Sequence, residues 1–509
     1  MSTAPGAIVA VDAGTSALRV LAFDPGGGRL AYFSRPNEIH REVDGTAEAD
    51  PLLWAAALRD GLREVVEQLG GAHEVTAIAI TSQRATVVAV DAGGDPVFPA
   101  LLWRDRRSGA EAGQFAERVG KVRVYERTGL RVDSYFTAPK LMWLAANHPR
   151  EAARASHYLS VQDYLAQHLT GEVGTDWTQA SRTLLFDIER QLWDPELIEA
   201  SGVDAGRLPP ASPPGSVAGT LLPELARASG LPSGVPVIRA GGDQQCGLVG
   251  LGVAAPGAAG VTVSSGSFLL APVGTSRRDR FRRVLCGPAA VPGQWVLEAG
   301  AQTAMSTVSW LLATLRRGEA EAEVEAALAE SPPGARGVVV LPHFNGISAP
   351  YWDPRARGAI LYLTEAHVPA DLLRADLEGI AIDVRRNLRV LRPLLDEPLR
   401  EMRAGGGGAR SDRFNQLQAD VYGTELVPVA EPESAALGAA VQAAVTTGLF
   451  ADHASAVATM VHADEERRTV PRAACAALYD ELAETHEQLL DEIPTDRPPP
   501  GPECEQAIG

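Results

Sequence analysis

The amino-acid sequence predicts an α/β protein with two domains and a cleft between them. Its 509 residues are too many for a single hydrophobic core. A strand–turn–strand unit opens the chain, and a similar unit spans residues 260–270, inside a glycine- and valine-rich block at residues 249–273. Two halves that begin in the same way indicate a duplicated domain. We place the domains at residues 1–247 and 248–492, and we expect a disordered tail at residues 493–509, which contains three successive prolines.

The first domain begins with antiparallel strands. Residues 7–11 are apolar throughout, which is typical of a strand buried on both faces. Short polar turns separate this strand from two more, which we predict at residues 18–23 and 30–33. A helix over residues 50–69 and a strand over residues 75–81 then continue the mixed α/β order.

Three kinds of segment organise the rest of the chain. A proline-rich stretch at residues 207–216 is typical of a surface connection. An apolar run at residues 235–240 predicts another buried strand. Helical sequence dominates residues 366–395 and 433–449.

Composition and charge exclude some classes of partner. A hydrophobic content of 45% with 22% charged residues is ordinary for a soluble globular protein. The net charge of -18 argues against nucleic acid or an anionic membrane as the main partner, although a local pocket of amides and arginines can still bind an anion.

Cysteine usage and the N-terminus indicate where the protein works. The four cysteines are widely separated without metal-ligand spacing, which indicates free thiols in a reducing compartment. The N-terminus has no basic region followed by an apolar stretch, and no run of about 18 apolar residues occurs. We therefore expect a cytoplasmic protein without a membrane span.

A carboxylate follows two glycines at the end of the strand predicted at residues 235–240. Gly241 and Gly242 allow close approach to a ligand, and Asp243 and Gln244 come next. Asp243 is therefore a candidate general base for a substrate hydroxyl. An ordinary turn that leaves a sheet has the same sequence pattern, so both interpretations stay open at this point.

Two polar turns between apolar strands are candidate phosphate sites. In the first, backbone amides and the Thr15 hydroxyl can face a phosphate, Asp12 can hold Mg²⁺ through water, and Arg19 can add a charge-assisted bond. The second turn, residues 264–267, offers hydroxyls and amides in the same context. Each turn alone is equally consistent with a plain hairpin.

Four consecutive glycines at residues 405–408 precede a helix that we expect to begin near Ser411 or Asp412. Bare backbone of this kind can pack against a flat purine or a phosphate. The alternative is a flexible linker, but apolar periodicity resumes at once after the glycines.

Polar and aromatic residues in the first half suit a polyhydroxylated substrate. Such a substrate needs bidentate donors and acceptors together with an aromatic face for its C–H surface. The candidates are Arg84, Trp103, Asp105 and Tyr135. Each of them alone is more often part of a structural salt bridge or a core aromatic cluster.

Taken in order, these segments resemble the FGGY family of carbohydrate kinases over nearly the whole chain. The resemblance rests on the Asp12–Thr15 turn with Arg19, the Gly241–Gln244 segment, and the glycine run through Ser411 with the helix at residues 433–449. It implies two domains of the actin-like, ribonuclease H-like ATPase fold with a catalytic cleft between them, ATP and Mg²⁺ as cofactors, and a sugar or polyol as substrate. It also implies a homo-oligomer, a dimer or a tetramer.

The resemblance also implies roles for individual residues. Asp243 would be the general base, and Asp12 and Asp243 would lie at the Mg²⁺ site. ATP would contact the residues of the two turns and of the glycine run: Asp12, Gly14, Thr15, Ser16, Arg19, Ser265, Gly266, Gly406, Gly407 and Ser411. In-line phosphoryl transfer depends on positioning and charge neutralisation, so closure of the domains is expected to exclude water.

Within the family, several stretches are most similar to glycerol kinases, among them residues 349–358. By that likeness the substrate would contact Arg84, Trp103, Asp105, Tyr135, Asp243 and Gln244. Glycerol kinases carry a glutamate directly after the arginine that corresponds to Arg84, whereas this chain has Ala85 at that position. Loss of a carboxylate that accepts bonds from hydroxyls would enlarge the pocket, so we favour a larger polyol or ketose over glycerol. Ser265, where a threonine is usual, retains the hydroxyl.

Two hypotheses of other classes remain. A non-catalytic ATP- or sugar-binding regulator on the same fold would have no need for the Asp243 base. An actin-like filament-forming ATPase would have no need for the sugar-site segments. Both are therefore less favoured than the kinase.

Overall fold

The computed structural model describes residues 6–71, 75–316 and 318–492, and the predicted disordered tail lies outside this range. Two six-stranded mixed sheets organise the described residues. The first contains β1 (Ala7–Ala13), β2 (Ala17–Phe23), β3 (Arg29–Pro36), β4 (Val75–Ser82), β5 (Ser216–Thr220) and β6 (Pro236–Gly242). The second contains β7 (Ala258–Val263), β8 (Ser267–Val273), β9 (Leu285–Pro288), β10 (Trp295–Ala301), β11 (Glu401–Gly405) and β12 (Glu425–Pro428).

The two sheets have related topologies. The first has the order β5–β6–β4–β1–β2–β3, and the second has the order β9–β10–β8–β7–β11–β12. In each, an antiparallel hairpin (β1–β2 or β7–β8) is joined through its first strand to two successive parallel strands, which are β4 and β6 or β11 and β12. The predicted duplication and the mixed α/β fold class are confirmed.

The labelled helices are α1 (Pro51–Gln68), α2 (Asp243–Gly250), α3 (Met305–Thr314), α4 (Pro369–Leu391), α5 (Asp412–Tyr422), α6 (Ser434–Thr446) and α7 (Ala473–Glu492). Other helices are Gly109–Val119, Lys121–Thr128, Thr137–Asn147, Pro149–Arg154, Val161–Thr170, Trp177–Ala180, Pro195–Ser201, Pro223–Ser229, Ala320–Glu330 and His453–Met460. None of the described helices is long and apolar enough to cross a membrane.

Short strands pair outside the main sheets. They are His40–Arg41, Ala47–Ala49 and Ala100–Leu101 in one sheet, and the pairs Val88–Val90 with His157–Leu159, Thr175–Asp176 with Ala211–Ser212, Phe186–Asp187 with Leu192–Trp193, and Val339–Leu341 with Ala359–Leu361. Ala211–Ser212 belongs to the proline-rich stretch that we expected to be a surface connection. That expectation is wrong in part, because Leu208 is buried and the stretch adds a strand.

Strand β1 is buried on both faces because helices cover the first sheet from two sides. On one face, Val9 and Val11 pack with Trp54, Leu58 and other residues of α1. On the other face, Ile8 and Ala10 pack with the alanines of α6, which belongs to the C-terminal half of the sequence. The apolar run at residues 7–11 is explained by this double cover.

Helices α2 and α6 cross in very close contact. A Cβ on Gly438 would lie 1.8 Å from the Cys246 carbonyl oxygen, and a Cβ on Gly250 would lie 1.9 Å from the Ser434 carbonyl oxygen. The two halves therefore interlock. The domain limit that we placed after residue 247 falls inside α2, and the limits themselves stay a prediction.

Candidate active site

The catalytic candidates of the first sheet lie at the carboxyl ends of its parallel strands. Asp12 on β1 is in register with Thr81 on β4, and Thr81 is in register with Gly241 on β6. Asp243 follows β6 directly as the first residue of α2. Asp12 and Asp243, which are 231 positions apart in sequence, are thereby brought to one edge, which is where ligands bind in open α/β sheets.

The Asp12 carboxylate is buried beside one cation and two other carboxylates. Arg19 Nη1 lies 3.6 Å from Asp12 Oδ2, and Arg19 Nε lies 3.3 Å from Glu433 Oε2. The pKa of Asp12 is raised to about 7, mainly by burial and also by the Asp243 and Glu433 charges, while Arg19 acts in the opposite direction. The Oδ1 atom of Asp12 is buried and has no hydrogen-bond partner among the described residues.

This environment suits a divalent cation. A positive charge near the unpartnered Asp12 Oδ1 would favour the ionised carboxylate that burial disfavours. No group of three or more His, Cys, Asp and Glu side chains among the described residues could hold a metal by itself. Mg²⁺ fits this pattern, because it is commonly held by one or two carboxylates together with substrate phosphates.

The Thr15 turn is held by hydrogen bonds from Trp103, a predicted substrate residue, and from Asn37. Trp103 Nε1 donates to Thr15 Oγ1 over 2.8 Å. Asn37 Nδ2 donates to the carbonyl oxygens of Gly14 and Thr15, at 2.8 and 3.1 Å, and Ser16 is exposed. The predicted phosphate turn and a predicted substrate residue are therefore in direct contact.

Asp243 is close to Arg84 and Gln244, two of the predicted substrate residues. Arg84 Nε lies 3.4 Å from Asp243 Oδ1, and the backbone amide of Gln244 donates to the same oxygen over 2.8 Å. Burial raises the pKa of Asp243, and the Arg84 guanidinium opposes that effect.

The two glycines before Asp243 have a structural reason that the sequence did not reveal. A Cβ on Gly242 would lie 2.6 Å from Arg84 Cδ, so the Arg84 side chain fills the space that the missing side chain leaves. The amide of Gly242 donates to Thr178 Oγ1 over 2.7 Å, and the amide of Gly241 donates to Gln162 Oε1 over 2.9 Å. The backbone that carries Asp243 is therefore fixed by buried polar side chains.

An aromatic and apolar wall lies beside this cluster. The rings of Trp103 and Tyr135 lie with their centroids 5.3 Å apart. Ala85 is buried with φ of 61° and belongs to an apolar cluster with Phe136 and Leu285. Lys140 Nζ donates to the Ala85 carbonyl oxygen over 3.0 Å and to the carbonyl oxygen of Tyr135.

Asp105 is buried and bonded within the protein. Its Oδ2 atom accepts from the Ala47 amide over 2.9 Å and from Arg107 Nη2 over 2.7 Å. Arg107 also contacts Glu48. Contact of Asp105 with the substrate stays a prediction.

The nucleotide candidates of the second half lie beside each other at the ends of β7 and β11. A Cβ on Gly406 would lie 2.5 Å from Ser264 Oγ, and Gly406 has a φ of 78° that favours glycine. A Cβ on Gly266 would lie 2.6 Å from the Ala301 carbonyl oxygen. Ser265 and Gly407 are exposed, and the space beside Gly407 is open.

Ser411 caps helix α5, as the predicted helix start requires. Its Oγ accepts from the Phe414 amide over 3.0 Å and donates to Glu325 Oε1 over 2.5 Å. Contact of Ser411 with ATP stays a prediction, and its hydroxyl already has two partners.

Sequence reasoning missed Glu298, Arg182 and Glu433. Glu298 lies on β10 and contacts both Arg84 and Arg182, whereas Glu433 contacts Arg19. The signal for Glu298 was a single carboxylate within the apolar stretch Trp295–Ala301, where an unpaired charge would be costly.

Comparison with known proteins defines the class to which this fold and site belong. The model of the N-terminal domain of the FGGY family of carbohydrate kinases matches residues 7–250, and the model of the C-terminal domain matches residues 261–447. These matches span most of the chain. The chain therefore belongs to the FGGY family of carbohydrate kinases, and it is a phosphotransferase with the two-domain, actin-like ATPase fold of that family.

Individual relatives have different named activities. A glycerol kinase from Methylibium petroleiphilum is 36% identical over 462 residues, covering 87% of this chain and 91% of that protein. The crystal structure of xylulose kinase from Rhodospirillum rubrum is similar with a TM-score of 0.87 and 27% identity, covering 96% of this chain and 98% of that one. A gluconate kinase structure from Lactobacillus acidophilus has a TM-score of 0.89 at 23% identity, covering 96% and 98%, which shows the fold alone.

Proposed function

We propose that this chain transfers the γ-phosphoryl group of ATP to a terminal hydroxyl of a ketopentose, such as xylulose or ribulose, or of a linear polyol such as erythritol. The observation that carries the proposal is the position of Asp243. This carboxylate stands at the end of β6, next to Arg84 and close enough to Asp12 for its charge to raise the pKa of Asp12. This position supports a role of Asp243 as the base, because the predicted phosphate turn and a predicted sugar residue lie beside it.

In this mechanism Asp243 accepts the proton of the acceptor hydroxyl. The acceptor oxygen then forms a bond to the γ-phosphorus as the bond to the bridging oxygen of ADP breaks, in line with the leaving group. Burial favours Asp243 as a base because it raises its pKa above that of a surface carboxylate, while Arg84 helps to keep it ionised.

The nucleotide would lie between the turns of the two sheets. The amides and hydroxyls of Thr15 and Ser265 would bind its terminal phosphates, and Gly406 together with the open backbone at Gly407 would face the adenosine. Arg19 would add positive charge. Asp12 would hold Mg²⁺, whose chemistry when bound is to neutralise phosphate charge in the transition state.

The acceptor class follows from the residues around Ala85. A buried methyl group among Phe136 and Leu285 offers no hydrogen-bond acceptor to a hydroxyl, and the nearby Trp103 and Tyr135 offer aromatic surface. These apolar and aromatic surroundings favour an acceptor with a longer carbon chain than that of glycerol.

A panel of acceptors tests the proposal directly. ADP release is measured with Mg·ATP and glycerol, erythritol, xylitol, xylulose or ribulose, with no acceptor as the control. We expect the highest kcat/KM for one of the larger acceptors. Glycerol as clearly the best substrate would contradict the substrate class but not the kinase activity.

Glycerol kinase activity is the second candidate. It is favoured by the 36% identity to a protein named glycerol kinase. The Ala85 environment opposes it, and the same panel separates the two candidates.

A non-catalytic regulator is the alternative of another class. It predicts binding of ATP or sugar without ADP release for every acceptor. The presence of a buried carboxylate at Asp243 speaks against it, because a binding module has no need for a base there. A filament-forming ATPase predicts ATP-dependent sedimentation, and the polar cluster around Arg84 gives no support to that activity.

A further inference from the structure

A buried ion cluster joins the two sheets next to Asp243. Glu298 lies on β10 of the second sheet, Arg84 follows β4 of the first sheet, and Arg182 lies in the short helix Ser181–Thr183. All three are almost completely buried. Glu298 Oε2 accepts from Arg84 Nη1 over 2.7 Å, Oε1 accepts from Arg84 Nη2 over 2.9 Å, and Arg182 Nη2 also donates to Oε2.

These bonds commit most of the donors of Arg84 to the protein. A guanidinium has five N–H donors. Two of them point to Glu298, one Nη1 donor reaches Gln245 Oε1 at 3.2 Å, and Nε faces Asp243 at 3.4 Å. Among the described residues, one Nη2 donor of Arg84 has no partner in these contacts, and it is left for a ligand. The orientation of Arg84 toward Asp243 is therefore set by the bidentate pair with Glu298.

Charge balance in the cluster depends on the same carboxylate. Burial alone would raise the pKa of Glu298, but Arg182 and Arg84 lower it to about 2, so it is ionised. Without Glu298, two buried guanidinium groups would share only the Asp243 carboxylate. The charged and titratable groups around Asp243 come from both halves of the chain: Arg84, Arg182, Glu298, Asp12, Tyr135 and Cys246.

We propose that Glu298 is a positioning residue for phosphoryl transfer: through its bidentate pair with Arg84 it holds the second sheet against the first and keeps Arg84 from pairing fully with the Asp243 base. This inference rests on the proposed function. It makes assembly of the acceptor site depend on the approach of the C-terminal half, since one partner of the pair comes from each sheet.

The variant Glu298→Gln tests this role. The amide has only one acceptor oxygen and turns donors toward a guanidinium, so Arg84 is expected to move onto Asp243. We expect kcat/KM with the best acceptor of the panel to fall about 100-fold, the size of effect that a 1 Å misplacement in an active site can have. The acid limb of its pH profile should move to lower pH, because a nearby negative charge is lost and the Arg84–Asp243 pair tightens.

The matched control is Glu378→Gln. Glu378 is another buried carboxylate paired with an arginine, and it accepts from Arg374 Nε over 3.0 Å within helix α4. We expect the control to lower the Tm without moving the acid limb. A Glu298→Gln enzyme with unchanged kcat/KM and unchanged acid limb would overturn the proposal and leave Glu298 a structural residue.

The variant Glu298→Asp covers the case in which the glutamine variant does not fold. The shorter side chain retains the charge but cannot reach both Arg84 nitrogens in the same geometry. We expect a raised acceptor KM with the acid limb unchanged, and a wild-type KM and kcat would overturn the proposal. Wild-type protein that releases no ADP with any acceptor would instead contradict the proposed function.

Discussion

At the scale of single residues, the carboxylates of the site are distinguished by their surroundings. Asp243 faces the Arg84 guanidinium. Asp12 pairs with Arg19 through Oδ2, whereas its Oδ1 has no hydrogen-bond partner among the described residues and suits a metal ion. Asp105 accepts hydrogen bonds from the Ala47 amide and from Arg107. All three aspartates were site candidates in the sequence, but their chemistry differs because the fold gives each of them different neighbours.

The variant Ala85→Glu is predicted to shift acceptor preference toward glycerol. A carboxylate at this position adds an acceptor for substrate hydroxyls and reduces the room for a longer chain. We expect the ratio of kcat/KM for glycerol to that for xylulose to rise at least about tenfold, which corresponds to one buried hydrogen bond to a charged group.

The control for this prediction is Ala85→Met, which fills similar space without an acceptor. It should lower kcat/KM for every acceptor and leave the ratio near its original value. An unchanged ratio in the glutamate variant would mean that residue 85 does not face the acceptor.

At the scale of secondary-structure elements, the crossing of α2 and α6 positions the start of α2, where Asp243 lies. Glycines at the crossing allow backbone contact between the helices. Helix α6 also covers the first sheet. A C-terminal helix thus supports the segment that carries Asp243 at the end of the N-terminal sheet.

The variant Gly438→Ala is predicted to lower the free energy of unfolding by about 1–3 kcal/mol, the usual cost of overpacking. The added methyl group would overlap the Cys246 carbonyl oxygen. Chemical denaturation measures the loss. Gly247→Ala is the control, because the nearest neighbour of its Cβ is Ser434 Oγ at 3.7 Å. Equal stability of the two variants would contradict the close crossing.

Sequence patterns predicted local features of the site well and long-range contacts poorly. The strand at residues 7–11, the turn after it and the helix after the glycine run depend on neighbouring residues, and all were predicted. The Arg84–Glu298 pair joins residues separated by 214 positions, so no local pattern contains it. The role of Gly242 in making room for Arg84 was missed for the same reason, since the two residues meet only in the folded chain.

At the scale of the complete fold, a buried ion cluster connects the two sheets next to Asp243. Glycines interlock the halves at α2 and α6, and the pair of Glu298 with Arg84 links the sheets beside Asp243. This arrangement fits a kinase that assembles its acceptor site from both halves. Oligomeric state and cellular location stay predictions.

Stability of the ligand-free protein is predicted to depend on pH through Asp376. This carboxyl on α4 is buried, and burial raises its pKa from 3.8 to about 7 while a bond from Thr307 lowers it. The folded state therefore binds this proton more tightly than the unfolded state, and the contribution to stability is lost as pH rises from about 4 to about 7.

The variant Asp376→Asn removes this titration. Thermal unfolding in the same buffers measures the Tm of the variant minus the Tm of the wild type. This value should be higher at pH 8 than at pH 5. A difference that is equal at both pH values would mean that Asp376 ionises as easily in the fold as in the unfolded chain.

We propose Asp243 as the base of the phosphoryl transfer, and the variant Asp243→Asn tests that role. ADP release with the best acceptor is measured beside calorimetric binding of Mg·ADP. The amide cannot accept the proton, so we predict a loss of about 10²–10⁴-fold in kcat, the usual contribution of a general base, with nucleotide affinity retained. Turnover at the wild-type rate in the asparagine variant would contradict the claim.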